Sequence, residues 1–123
     1  MSNAEVEFSI LAGSGAPVRS FKQGEIIFRE GDPATELYVI KSGRVDISTG
    51  NRLLATLDDN GIFGEMALID KTPRSATVIA ATDVELVPVN EKQFLFLVSQ
   101  TPFFALKVMR VLAGRLRIAN KAI

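Results

Sequence analysis

The chain has 123 residues, 47% of them hydrophobic, with 14 basic and 14 acidic side chains, so a single domain with a real core is expected. Zero formal net charge disfavours a nucleic-acid-binding or polybasic membrane module, and the absence of cysteine and histidine removes disulfides, thiolate or imidazole metal sites, and Ser-His or Cys-His catalysis. The acidic start MSNAEVEF shows no secretory signal and no run nears the ~18 consecutive apolar residues of a membrane span, so a cytoplasmic, non-metal, non-enzymatic domain is expected.

Beyond an N-terminal segment, 1–15, turn signals recur at short intervals: Lys22-Gln23-Gly24, Glu30-Gly31-Asp32-Pro33, Ser42-Gly43, Gly50-Asn51 and Asn60-Gly61. Between them lie short strand-like runs, Glu25-Ile26-Ile27-Phe28, Leu37-Tyr38-Val39-Ile40 and Leu53-Leu54-Ala55-Thr56-Leu57. Arg44-Val45-Asp46-Ile47-Ser48 alternates strictly, which puts Val45 and Ile47 on one face. Two more apolar runs follow, Thr77 to Ala81 and Val84 to Val89. Strands at this spacing predict a sandwich, barrel or jelly roll over 16–89. Pro88 cannot donate to a ladder and is expected at an edge or strand end.

After residue 89 the pattern becomes helical. Asn90 with Gln93 three residues on opens a helix through Ser99, and Thr101-Pro102 reads as N-cap and first residue of a longer one. On that second helix Ala105, Met109, Leu112, Leu116, Ala119 and Ile123 make one stripe, opposite Lys107, Arg110, Arg117 and Lys121. The stripe reads as packing on the roll, as a dimer seam or as a mobile lid. Gly114 inside it costs about 1 kcal/mol relative to Ala, which suggests a bend or close contact. Charge is asymmetric: 6 of the 14 basic residues and no acidic one lie from Lys92 onward. That suits helix C-terminal ends, and equally a basic tail docking on an acidic body or on another subunit.

The stretch FGEMALIDKTPRSATV, residues 63–78, carries the chemistry. Gly64 permits close backbone approach, and Glu65 to Ile69 is long enough for one helical turn whose first amides are unpaired donors. Arg74 offers a planar donor fork suited to phosphate, Ser75 adds a hydroxyl, and Pro73 keeps Thr72 extended. Glu65 would repel a phosphate, so it must face a neutral donor such as a sugar hydroxyl. Taken singly, the residues have plainer readings: Gly64 a turn, Glu65 a helix N-terminal charge, Arg74 a surface ion pair. Together they describe a singly charged phosphate tied to a ribose.

The stretch resembles the phosphate-binding cassette (63–77) of cyclic-nucleotide-binding domains, the family of catabolite activator protein, protein kinase A regulatory subunits and cyclic-nucleotide-gated channels. The resemblance runs back through KQGEIIFREGDPATELYVIKSGRVDI and forward into both helices, over roughly residues 18 to 120. It implies an α+β, mainly β fold: an antiparallel β-roll of about eight strands, a short cassette helix inserted late in it, and two C-terminal helices over 90–123. It implies that Gly64, Ala67 and Ser75 contact a cyclic phosphate, that Arg74 pairs with its charge, and that Glu65 accepts from the ribose 2′-OH. Met66 is expected near the sugar and Ile47 at the base, with Arg110, Leu112, Arg115 and Leu116 as a candidate lid. Thr directly after the cassette arginine often accompanies cyclic GMP preference in the family. Ser75 keeps a hydroxyl there, so cyclic AMP is favoured only weakly.

The resulting expectation is a non-enzymatic sensor that binds cyclic AMP or cyclic GMP, needs no cofactor, and signals through its C-terminal helix, with a homodimer through that helix as one partner. Rival readings are a scaffold that has lost its ligand, against which intact Glu65, Arg74 and Ser75 argue, and a jelly-roll enzyme, against which the missing histidines argue. Regulators of this family carry a helix-turn-helix after the long helix, where this chain stops, so nucleic-acid binding is not expected of it. As a fragment it would belong to a regulator, channel or transporter; as a complete chain it would act through another protein.

Overall fold

Eight strands form two four-stranded antiparallel sheets within residues 17–121, the part of the chain that the computed structural model describes, with side chains through Gly114. The helix-side sheet runs in the order β1 (Arg19–Phe21), β8 (Val84–Asn90), β3 (Glu36–Ser42), β6 (Ile62–Phe63). The outer sheet runs β2 (Ile26–Phe28), β7 (Thr77–Ala80), β4 (Val45–Thr49), β5 (Arg52–Leu57). The helices are α1 (Met66–Ile69), α2 (Glu91–Gln100) and α3 (Pro102–Lys121). This is the expected β-roll, with a one-turn helix inserted between β6 and β7. No single helix among the described residues is long and apolar enough to cross a membrane.

Strand patterning decides what each sheet covers. In β3 the four consecutive residues Leu37, Tyr38, Val39 and Ile40 are all buried. Successive strand residues point to opposite faces, so this sheet is covered on both. Tyr38 and Ile40 join the cluster between the sheets with Val45, Phe63, Val78 and Leu86. Leu37 and Val39 join a second cluster with Ile62, Val89, Leu97 and Phe104, which seats α2 and α3. In β4, by contrast, Val45 and Ile47 are buried and their neighbours are not, as the alternation predicts. The β3–β4 reversal needs Gly43: its φ is +99°, and a Cβ there would lie 2.3 Å from the Asp83 carbonyl oxygen.

The helical boundaries follow the sequence closely. Asn90 Oδ1 accepts from the Gln93 N–H at 2.9 Å and Gln93 Oε1 accepts from the Asn90 N–H at 2.9 Å, a complete capping box for α2. At the start of α3 the Phe104 N–H donates to the Thr101 carbonyl at 3.0 Å.

Several expectations are corrected. β1 and β6 are strands of three and two residues that no run of apolar residues announces; tertiary pairing with β8 and β3 makes them. Pro88 lies inside β8, opposite Tyr38 of β3, rather than at the strand end. Among the described residues β1 pairs with β8 only from Val84 to Leu86, so β8 is a local edge on that side at Pro88. On α3 the packed face is Phe104, Val108 and Leu112: it keeps Leu112 of the predicted stripe but takes Phe104 and Val108 in place of Ala105 and Met109, and Met109 is 57% exposed. Seating Phe104 rather than Ala105 against the sheet buries far more apolar area. Leu116, Ala119 and Ile123 lie outside the residues with described side chains, as does the N-terminal segment 1–15.

Candidate functional site

The end of β6, α1 and the extended segment before β7 wrap one side of a cavity of about 440 Å³, whose other wall comes from β4 and β5. That size suits a nucleoside-sized ligand. Gly64, Glu65, Met66, Ala67, Arg74 and Ser75 all line it, and Ile47 lines it from β4. Seven residues chosen from sequence, spread over 29 positions from 47 to 75, therefore meet in one place.

Local backbone geometry explains the meeting. Gly64 turns the chain out of β6 with φ +78°, and a Cβ there would sit 2.7 Å from Arg74 Nη1. Only glycine lets the guanidinium come this close. Arg74 Nη1 donates to the Gly64 carbonyl at 3.3 Å. The Arg74 backbone is pinned as well: its N–H donates to the Asp32 carbonyl at 2.9 Å, and its carbonyl accepts from the Gly31 N–H at 2.8 Å. The Glu30-Gly31-Asp32-Pro33 turn thus holds the arginine at its root.

Arg74 is only 7% exposed. Its Cζ lies 4.0 Å from the centroid of the Phe28 ring and 5.6 Å from that of Tyr38, and its Nε is buried without a hydrogen-bond partner. Burial pushes the guanidinium below its ordinary pKa, while nearby Tyr38, Glu36 and Asp32 oppose that shift. Glu65 is fully buried, and its side chain does not cap α1. It is therefore not a solvated helix-end charge, and burial sets it inside the cavity wall. Arg74 is likewise no surface ion pair.

One expectation about the turn changes. Among its first amides, Ala67 N–H donates to the Gly64 carbonyl at 3.2 Å and Leu68 N–H to the Glu65 carbonyl at 3.1 Å, so neither is unpaired. Ser75 is exposed at the cavity. Two of the four lid candidates are not part of this wall: Arg110 is exposed, and Leu112 packs against the α2–α3 cluster because its face of α3 is taken by the helix-side sheet. The side chains of Arg115 and Leu116 lie outside the described residues.

Sequence reasoning missed the β5 wall, formed by Arg52, Leu53, Leu54 and Ala55, and missed Phe28. A signal for the first was present. Two adjacent leucines on one strand cannot share a face, and here both stay exposed, Leu53 at 60% and Leu54 at 49%. The register shift between Ile47 and Ser48 lets both approach the cavity rim.

Comparison with known proteins agrees with the geometry. A family model described as the cyclic nucleotide-binding domain matches residues 18–101. The cyclic AMP receptor protein of Thermus thermophilus is 36% identical over 107 residues, 83% of this chain and 50% of that protein. The crystal structure of the Thermus thermophilus catabolite activator protein superposes with a TM-score of 0.79 at 34% identity, covering 98% of this chain and 57% of that one. The EAL enzyme Bd1971 in its cAMP-bound form is 42% identical, with a TM-score of 0.63 over 85% of this chain and 29% of that one. Its cGMP-bound form is 40% identical, with a TM-score of 0.64 over 86% of this chain and 30% of that one. The chain spans about half the length of the curated relatives it matches. With the family model over most of the chain and the cassette assembled around one cavity, this chain belongs to the cyclic nucleotide-binding domain family.

Proposed function

We propose that this chain is a non-enzymatic module that binds a 3′,5′-cyclic nucleotide, cyclic AMP in preference to cyclic GMP, and reports occupancy through its C-terminal helices. The observation that carries the proposal is the nearly buried Arg74 guanidinium beside Gly64 in a cavity that also holds fully buried Glu65. Arg74 meets the phosphate charge, with Gly64, Ala67 and Ser75 contacting the phosphate. Glu65 accepts from the ribose 2′-OH, Met66 packs near the sugar and Ile47 meets the base. For Ala67 to serve, its amide must share or exchange its bond to Gly64. The preference is weak: Bd1971 is seen with either nucleotide, and Ser75 retains a hydroxyl that a guanine amino group can use. Calorimetry should give micromolar or tighter binding of cyclic AMP and weaker binding of cyclic GMP. No heat with either nucleotide at millimolar concentration, and no thermal shift, defeats the sensor reading in favour of a ligand-free scaffold.

The route outward runs through α1. Met66 and Ala67 line the cavity, while the next residue, Leu68, packs against the cluster containing Leu97, Phe104 and Val108. A ligand that moves α1 therefore acts on the seat of α2 and α3. Exposed Phe103 at 61% and Met109 at 57% favour a second reading of α3 as a homodimer seam. Deleting residues 111–123 separates the readings: a several-fold loss of affinity supports a helix coupled to the ligand, and unchanged affinity with loss of dimer in sedimentation supports the seam.

A further inference from the structure

The Arg74 side chain donates from Nη1 to the Gly64 carbonyl at 3.3 Å, Tyr38 lies close enough to favour its charged form, and its buried Nε has no hydrogen-bond partner. A bond as long as 3.3 Å holds a guanidinium only loosely. The flat face of Phe28, 4.0 Å from Cζ, is a further and closer restraint on its plane than the Tyr38 ring at 5.6 Å. Phe28 is itself locked. Its ring centroid lies 6.1 Å from that of Tyr38 and 5.9 Å from that of Phe63, and those two stack at 5.4 Å. The strand that carries it is irregular here: Ile26 pairs with Ile79 while Phe28 pairs with Val78, so two residues on β2 oppose one step on β7. Bulges of this kind re-aim a side chain, and this one lies at the strand end beside the segment that carries Arg74.

We propose that Phe28 is a positioning residue for Arg74, its ring face setting the height and plane of the guanidinium at the cavity. This rests on the reading of the cavity as a cyclic-phosphate site. A π face attracts the cation without occupying its N–H groups, so most of the five donors stay available to the ligand. The ring is thus a holder that does not compete with the phosphate. Arg74 contacts the ligand; Phe28 acts through it.

The test uses the whole chain with Phe28→Leu, which keeps apolar bulk but removes the π face, and Phe28→Tyr, which restores it. The first readout needs no ligand. In the free protein the Arg74 Nε–Hε resonance, assigned by its loss in Arg74→Lys, should be displaced upfield by the ring. It should return toward the exposed-arginine position in Phe28→Leu and stay displaced in Phe28→Tyr. The second readout is calorimetry with cyclic AMP: Phe28→Leu should weaken binding roughly fivefold, and Phe28→Tyr should recover most of it. In an Arg74→Ala background Phe28→Leu should add no further loss. An undisplaced resonance, wild-type affinity in Phe28→Leu, or an equal loss in the Arg74→Ala background overturns the proposal. A displaced resonance in a protein that binds neither nucleotide defeats the ligand assignment and leaves the positioning of Arg74 supported.

Discussion

The helix-side sheet and the outer sheet share an interior but differ in what lies on their other faces. β3 and β8 carry runs of four buried residues, Leu37 to Ile40 and Leu86 to Val89, because helices cover the side that faces away from the outer sheet. β4 and β7 alternate, and β5 exposes both Leu53 and Leu54. Two-sided burial makes a sheet that tolerates little change, whereas the inner face of the outer sheet, through Ile47, Ala55 and Val78, also walls the cavity. The division also places the chemistry. Arg74 stacks on the inward aromatic cluster of Phe28, Tyr38 and Phe63, and the helices pack on Leu37, Val39 and Ile62, the chain neighbours of Tyr38 and Phe63 on β3 and β6.

This contrast can be broken or sharpened by substitution. The largest effect is expected on the doubly covered side: Phe104→Ala, at a fully buried position, should cost about 3–5 kcal/mol of stability in urea unfolding. A loss below 1 kcal/mol would mean the helices are not seated on the sheet as described. At the cavity, Arg74→Ala should weaken cyclic AMP binding by about 2–5 kcal/mol, roughly 30-fold to several-thousand-fold, by leaving a phosphate charge unpaired. Binding within threefold of wild type would remove Arg74 from the site. Gly64→Ala forces a side chain into φ +78° and against Arg74 Nη1, so a stability loss of about 1–2 kcal/mol should come with weakened binding. Glu65→Gln should cost about 1–2 kcal/mol of affinity as a charge-assisted bond becomes neutral. The smallest effect on folding belongs to the outer sheet. Leu53→Ser, at a residue 60% exposed, should shift stability by less than about 0.5 kcal/mol while still lowering affinity measurably. A large unfolding shift there would erase the distinction between the sheets.

How much of this was legible depended on whether the signal was local. The alternation in Val45 to Ser48, the apolar run from Leu37 to Ile40 and the Asn90–Gln93 cap are decided within a few residues, and each became the element expected. That the cassette residues would gather around one cavity was legible because their chemistry makes sense jointly. β1 and β6 were not, since two or three residues become a strand only when a partner strand lies beside them. The first two turns of the packed face of α3 were misplaced by one position, while Leu112 was placed correctly, because a period of helical apolar residues fixes a stripe's width better than its centre. Here Phe104 outweighs Ala105. Phe28 was invisible as a site residue because its role depends on a register shift between β2 and β7 and on a ring stacked over a side chain 46 positions later.

The position of β5 has a consequence for the protein in concentrated solution. Among the described residues it is the last strand of the outer sheet, with no strand beside one row of its backbone donors and acceptors, and two exposed leucines project from it. An apolar strand edge of this kind is a template for pairing with another chain. Arg52 at one end and Asp58-Asp59 just past the other act as gatekeepers, placing charge where a second strand would have to align. The same leucines that give a ligand its wall thus give a neighbouring molecule a foothold. Replacing the flanking charges should promote self-association before it disturbs the fold.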